Sequence, residues 1–125
     1  SGGENARVML TLKALIAQKR NLPTIIFDEI DTGVSGTMAE RMGRVMPRMG
    51  QSAQVLCITH LPQIAALGKV HFWVHKQEND TGTTSNIRAL SADERVQEIA
   101  NMLSGAAITE AALTNARQLL DEGAQ

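Results

Sequence analysis

Two short apolar runs constrain the fold of this chain more than anything else in it. Thr24-Ile25-Ile26-Phe27-Asp28 and Gln54-Val55-Leu56-Cys57-Ile58-Thr59 are each of strand length, and one stretch of helical pattern separates them. Continuous apolar runs of this kind read as parallel strands buried on both faces of a sheet. With a helix between them they make a βαβ unit, for which a right-handed crossover is the rule. The C-terminal ends of both strands then share one edge, the place where open α/β sheets put their ligands. Asp28 and Glu29 close the first run and His60 follows the second. Three chemistry-bearing side chains are therefore expected together on that edge.

The remaining elements follow from periodicity and punctuation. Residues 4–20 place Val8, Leu12, Leu15 and Ile16 on one face of an amphipathic helix, with Lys13, Lys19 and Arg20 off it. Asn21-Leu22-Pro23 ends that helix, because the residue before a proline avoids the α region. The crossover helix is expected over 36–49, with Ser35 as its N-cap. Met38, Met42, Val45, Met46 and Met49 form its apolar side; they read as core, with an adaptable binding surface as the alternative. Pro47 predicts a kink or an early end, since an interior proline costs about 3 kcal/mol in lost bonding and steric clash.

After His60, residues 61–67 read as a short helix with Pro62 in its first turn. Segments 70–76 and 83–90 flank the turn cluster Asn79-Asp80-Thr81-Gly82 and predict an antiparallel hairpin. Ser91-x-x-Glu94 is a capping-box pattern that opens a helix with Val96, Ile99, Ala100 and Leu103 on one face; Gly105 closes it. A last helix starts near Thr109 and carries Leu113, Ala116 and Leu120. The fold class is α/β: parallel strands with a crossover helix, a hairpin, and two C-terminal helices.

At 125 residues, residues 1–125 are expected to form a single domain, and 43% hydrophobic residues suffice for a packed core. Twelve basic residues against thirteen acidic ones leave no polybasic footprint for nucleic acid. Cys57 is the only cysteine. One thiol makes no internal disulfide, so it reads as a buried small hydrophobe in a reduced, cytoplasmic protein. No apolar run approaches the ~18 residues of a membrane span, and no membrane partner is expected. The chain opens on Ser1 rather than Met, which predicts a piece of a longer protein.

Each candidate motif has a plainer reading beside it. Adjacent acids after an apolar strand also occur as a solvated rim or a helix cap. As a metal-and-water site, Asp28 suits Mg²⁺, which takes one or two carboxylates plus waters and phosphate oxygens. Glu29 would then serve as general base on an attacking water. Haloacid-dehalogenase-like phosphatases need Asp-x-Asp after their strand; here Asp31 is three residues from Asp28, so that spacing fails. A lone histidine is more often structural than catalytic, but His60 follows a second strand and can hydrogen-bond a γ-phosphate. Ser1-Gly2-Gly3 are linker-type residues. They also lead at once into a helix at Glu4, and a helix N-terminus favours anions. There is no P-loop: Gly68-Lys69 is followed by Val70, and Gln63 stands where the first glycine should be.

In order, the chain carries Ser1-Gly2-Gly3-Glu4, the apolar-Asp28-Glu29 strand, Ile30-Asp31-Thr32-Gly33-Val34-Ser35-Gly36, and Ile58-Thr59-His60-Leu61-Pro62-Gln63-Ile64-Ala65. This succession resembles the signature, Walker B, D-loop and H-loop of ABC-type ATPase heads. The wording Asp-x-Gly-Val-Ser-Gly with Thr-His-Leu-Pro-Gln is similar to the RecN family of SMC-like ATPases. The likeness extends through Arg95-Val96-Gln97-Glu98-Ile99-Ala100-Asn101-Met102-Leu103-Ser104-Gly105 to Ile108-Thr109. Glu4-Asn5-Ala6-Arg7 departs from the family's more usual Glu-Leu-Ser-Arg, and leaves Asn5 and Ala6 without a family role.

The resemblance implies the C-terminal half of a split P-loop ATPase head acting in DNA double-strand-break repair and recombination. It implies ATP and Mg²⁺ as cofactors, with Asp28 on the metal and Glu29 and His60 catalytic. Ser1, Gly2 and Gly3 would cap the ATP of a second subunit, and Asp31, Gly33 and Ser35 would form the D-loop across the interface. The implied partners are the N-terminal P-loop half, a second copy through ATP-sandwiched heads, and DNA through the parent protein. The implied location is the nucleoid in the cytoplasm. The alternatives are a head segment of another SMC or ABC ATPase, or a non-catalytic dimerisation module.

Overall fold

A computed structural model describes residues 12, 13, 15, 16, 19–28 and 36–124, with 36–40 described in their backbone alone. The chain divides into two compact units between Leu67 and Gly68.

In the first unit, β1 (Thr24–Asp28) and β2 (Gln54–Ile58) pair in parallel, with Ile26 beside Leu56 and Asp28 beside Ile58. Helix α2 (Gly36–Met49) connects them and α3 (Pro62–Ala65) follows β2. The described residues of the preceding helix, α1, are Leu12, Lys13, Leu15, Ile16, Lys19 and Arg20. Alternation along β1 turns Ile25 and Phe27 inward. There they meet Met42 and Met49 of α2 and Ile64 of α3, with Val45, Met46 and Val55 packed around them. Phe27 and Met42 are fully buried. Burying a side chain of that size contributes about 1.5–3 kcal/mol, so the methionines of α2 described here are core, as expected. Met38 lies outside the described side chains.

Three details differ from the sequence-based expectations. The sheet is buried on one face only: Ile26 (52% exposed), Leu56 and Ile58 (53%) form an open apolar face on the other. No described element of this unit lies over it. Cys57, on the core-facing side of β2, is half-buried rather than buried. Helix α2 also runs through Pro47 to Met49. The proline falls in the last turn, so its missing N–H costs one bond near the end. The turn then closes through Gly50 N–H to the Met46 carbonyl and Ala53 N–H to the Met49 carbonyl, both 2.9 Å.

The third detail concerns α1, whose residues Leu12, Leu15 and Ile16 are each about half exposed. Lys13, expected off the packing face, makes the contacts instead. Its ammonium donates to the Ile26 carbonyl at 2.9 Å and lies 4.9 Å from the centroid of the Phe27 ring. A cation over an aromatic face is attracted by the ring quadrupole, and among the described strands β1 pairs only with β2, which leaves carbonyls of its other edge to a donor.

In the second unit, β3 (Phe72–Asn79) and β4 (Gly82–Ala89) pair antiparallel, with Phe72 opposite Ala89 and Asn79 opposite Gly82. The strands run further into the turn than the sequence predicts. The Asn79 side-chain oxygen accepts from the Thr81 N–H at 3.1 Å and the Thr81 hydroxyl at 2.9 Å, which closes a tight Asx turn. Gly82 follows at φ +136°, a conformation that needs glycine.

Helix α4 (Ala92–Ser104) opens with both bonds of the expected capping box, Glu94 N–H to the Ser91 hydroxyl and Ser91 N–H to the Glu94 carboxylate. It ends at Gly105, left-handed at φ 71°. Thr109 caps α5 (Glu110–Gly123) by accepting from the Ala112 N–H. The helices bury Ile99 and Ala100 on α4 and Ala112 and Ala116 on α5. Among the described residues, no helix is long and apolar enough to cross a membrane.

Candidate functional site at the end of the parallel strands

The parallel register decides what the sheet edge holds. Asp28 is the last residue of β1 and lies beside Ile58, the last residue of β2. Both strands point the same way, so Asp28 and the residue two past Ile58, His60, emerge at the same edge. Both side chains are exposed. The backbone after β2 is held on both sides of His60. The Leu61 N–H donates to the Thr59 hydroxyl at 3.0 Å, and Leu61 packs on the core beside buried Ile64. Pro62 then starts α3 at a position where no N–H is needed. The imidazole therefore stands on a short, anchored bend rather than on a loose loop.

This edge presents a carboxylate and an imidazole to solvent. A single exposed carboxylate fits Mg²⁺, which keeps waters and takes the rest of its oxygens from phosphate. A cage made of protein alone is a different matter: among the described residues, no group of three or more His, Cys, Asp or Glu is placed to hold a metal ion. Cys57 belongs to the core-facing side of β2. Glu29, Asp31, Gly33 and Ser35, and likewise Ser1, Gly2 and Gly3, lie outside the described residues.

The second unit carries a polar network that sequence reading did not anticipate. Trp73 and His75 stack with centroids 4.1 Å apart at 14°. Arg88, opposite Trp73 across the hairpin, lies 5.7 Å from the indole and pairs with Glu94 on α4. The Ser91 backbone N–H, then Arg88, hold the Glu94 carboxyl below its ordinary range. Burial holds Arg95 below its ordinary value and pushes Glu98 up. Burial, then the charge of Arg95, lowers His71. The one signal in the sequence was the spacing His71-x-Trp73-x-His75, which puts all three on one face of a strand.

Known proteins resemble the chain over its whole length. The DNA repair protein RecN of Bacillus subtilis is 41% identical over 125 residues, which is 100% of this chain and 22% of that protein. RecN of Haemophilus influenzae is 44% identical over 121 residues, 97% of this chain and 22% of its own length. The chain thus spans about a fifth of the relatives it matches. A solved structure from work on the structural biochemistry of ATP-driven dimerization and DNA-stimulated activation of SMC ATPases matches with a TM-score of 0.64. It is 22% identical and covers 79% of this chain and 59% of its own. At that identity the likeness is one of fold alone. No protein-family profile matches the chain.

Proposed function

We propose that this chain, homologous along its length to a fifth of the RecN DNA repair proteins, is the C-terminal lobe of an ABC- or SMC-type ATPase head. The observation that carries the reading is the register of β1 and β2, which brings Asp28 and His60 to one edge. That is the order of a Walker B acid and an H-loop histidine. The chain supplies no P-loop, so the triphosphate would be cradled by a P-loop segment elsewhere in the parent protein.

Each residue then has a task set by its chemistry. Asp28 would hold Mg²⁺ together with phosphate oxygens and water, and the ion would neutralise phosphate charge. Glu29 takes the proton of the attacking water as general base. His60 donates a hydrogen bond to the γ-phosphate and stabilises charge that grows there. Ser1, Gly2 and Gly3, which the sequence pattern places before a helix, would cap the nucleotide of a second subunit. Asp31, Gly33 and Ser35 cross that interface as the D-loop. ATP thereby joins two heads, and hydrolysis parts them. In the cytoplasm, at the nucleoid, such a cycle would tether DNA ends during double-strand-break repair and recombination.

Joining this chain to a P-loop head segment of the parent protein tests the reading. Sedimentation velocity should show a dimer that forms with ATP and persists in Glu29→Gln. A joined head whose association ignores ATP would instead support a scaffold that keeps only the fold.

A further inference from the structure

His60 sits where the chain leaves the parallel pair. Burial alternates along the run that leads to it: Val55, Cys57 and Thr59 are half-buried, and Leu56, Ile58 and His60 are exposed. The Thr59 side chain therefore stands on the inner side of the chain and the imidazole on the outer. The Leu61 N–H donates to the Thr59 hydroxyl at 3.0 Å. This N–H belongs to the peptide group that joins His60 to Leu61, and that group is planar. Holding it limits ψ of His60, and with it the direction in which the imidazole leaves the backbone. Both flanks are tied down as well. Ile58 lies beside Asp28 in the parallel register, and the Leu61 carbonyl accepts from the Ile64 N–H at 3.2 Å and the Ala65 N–H at 3.0 Å. Pro62 and Ile64 are buried just beyond. The hydroxyl bond bridges the gap between these two anchors.

We propose that Thr59 is a positioning residue for His60: its hydroxyl keeps the imidazole aimed where the γ-phosphate would lie. The proposal rests on the reading of His60 as a hydrogen-bond donor to that phosphate. Packing alone would be met by valine, which has the same shape and already stands at Val55 on the same side of β2. A valine at 59 would take this acceptor from the Leu61 N–H, and Leu61 is half-buried. Leaving such a donor unmade is costly, so the bend would relax toward water. The relaxation turns the peptide that carries the His60 side chain. A misplacement of about 1 Å at a reacting group costs about a hundredfold in rate. A hydroxyl that touches no substrate thereby governs the chemical step.

The test uses the full-length parent protein with Thr59→Val, Thr59→Ser, His60→Ala, and Thr59→Val combined with His60→Ala, followed by single-turnover and steady-state ATP hydrolysis. Thr59→Val should lower kcat by about tenfold, part of the loss that misplacement brings. KM and ATP-dependent dimer formation should stay unchanged, because the bond from His60 strengthens in the transition state. Thr59→Ser keeps the hydroxyl and should recover the parent rate. On top of His60→Ala, Thr59→Val should cost nothing further, since residues that act through one another do not add. A threonine that served only the fold would slow both backgrounds by the same factor. The proposal is overturned if Thr59→Val turns over at the parent rate, if Thr59→Ser is as slow as Thr59→Val, or if the valine slows His60→Ala as much as it slows the parent. A slow His60→Ala beside a fast Thr59→Val removes the positioning role and leaves the role of His60 standing. A His60→Ala at the parent rate removes the role of His60 and this proposal with it.

Discussion

Asp28 and Glu29 are neighbours in sequence, and the proposal gives them separable tasks. Asp28→Asn removes a metal-binding charge, so metal-dependent ATP binding by the complete head should weaken by at least about tenfold, or ~1.4 kcal/mol. Glu29→Gln removes a base and keeps the hydrogen-bonding shape. ATP binding should survive in it, and the ATP-bound dimer should live longer. Nucleotide-binding and dimer-lifetime assays that find the two variants alike would refute the division. A second residue-scale prediction concerns pH. Folded His71 is held below its ordinary value of 6.5 by burial, then by Arg95. The unfolded chain therefore binds more protons in that interval, and stability rises with pH there. The contribution is complete above about pH 6.5 and is lost as pH falls through the lower folded value. Urea midpoints should drop as pH falls below about 6.5, and His71→Gln should flatten that drop. Parallel slopes in the two proteins would clear His71 of the effect.

At the scale of elements, what was legible in the sequence was local. Ser91 and Glu94 announce their capping box, because both bonds lie within one turn. Asn79 and Gly82 announce the hairpin turn for the same reason. Ser91→Ala should cost about 1 kcal/mol of stability, the usual loss of a serine N-cap, and a urea denaturation series would read it. A change under a few tenths would mean that α4 is held by its packing on α5 alone. What was not legible depended on neighbours distant in sequence. Lys13 takes the contact with Phe27 although the apolar stripe pointed to Leu12, Leu15 and Ile16. Trp73 meets Arg88 only through the strand register, and Arg88 meets Glu94 only once the hairpin abuts α4. Pro47 was legible as a breaker, but its effect depended on how close it fell to the helix end. Of the candidate site, Asp28 and His60 were readable because a strand end is a position in the fold; their shared edge then follows from parallel pairing alone.

At the scale of the molecule, each unit leaves an apolar face uncovered. In the first, Ile26, Leu56 and Ile58 are exposed on the parallel pair; in the second, Phe72, Val74 (65% exposed) and Ile87 (68%) are exposed on the hairpin. Parallel strands ordinarily have both faces covered, and open edges and apolar patches favour association. The chain alone should therefore self-associate at roughly tens of micromolar, where such surfaces aggregate, and a P-loop head segment should convert it to a 1:1 complex. Sedimentation that shows a stable monomer across that range would mean the two units are self-sufficient. ATP turnover tests the central claim, a head lobe that needs a P-loop from elsewhere, most directly. It would be measured for this chain, for the P-loop segment, and for the two combined, with this chain supplied both as it is and as Glu29→Gln. The account predicts turnover only in the combination and its loss in the variant. Turnover by this chain alone, or a combination no faster than the P-loop segment by itself, would contradict it.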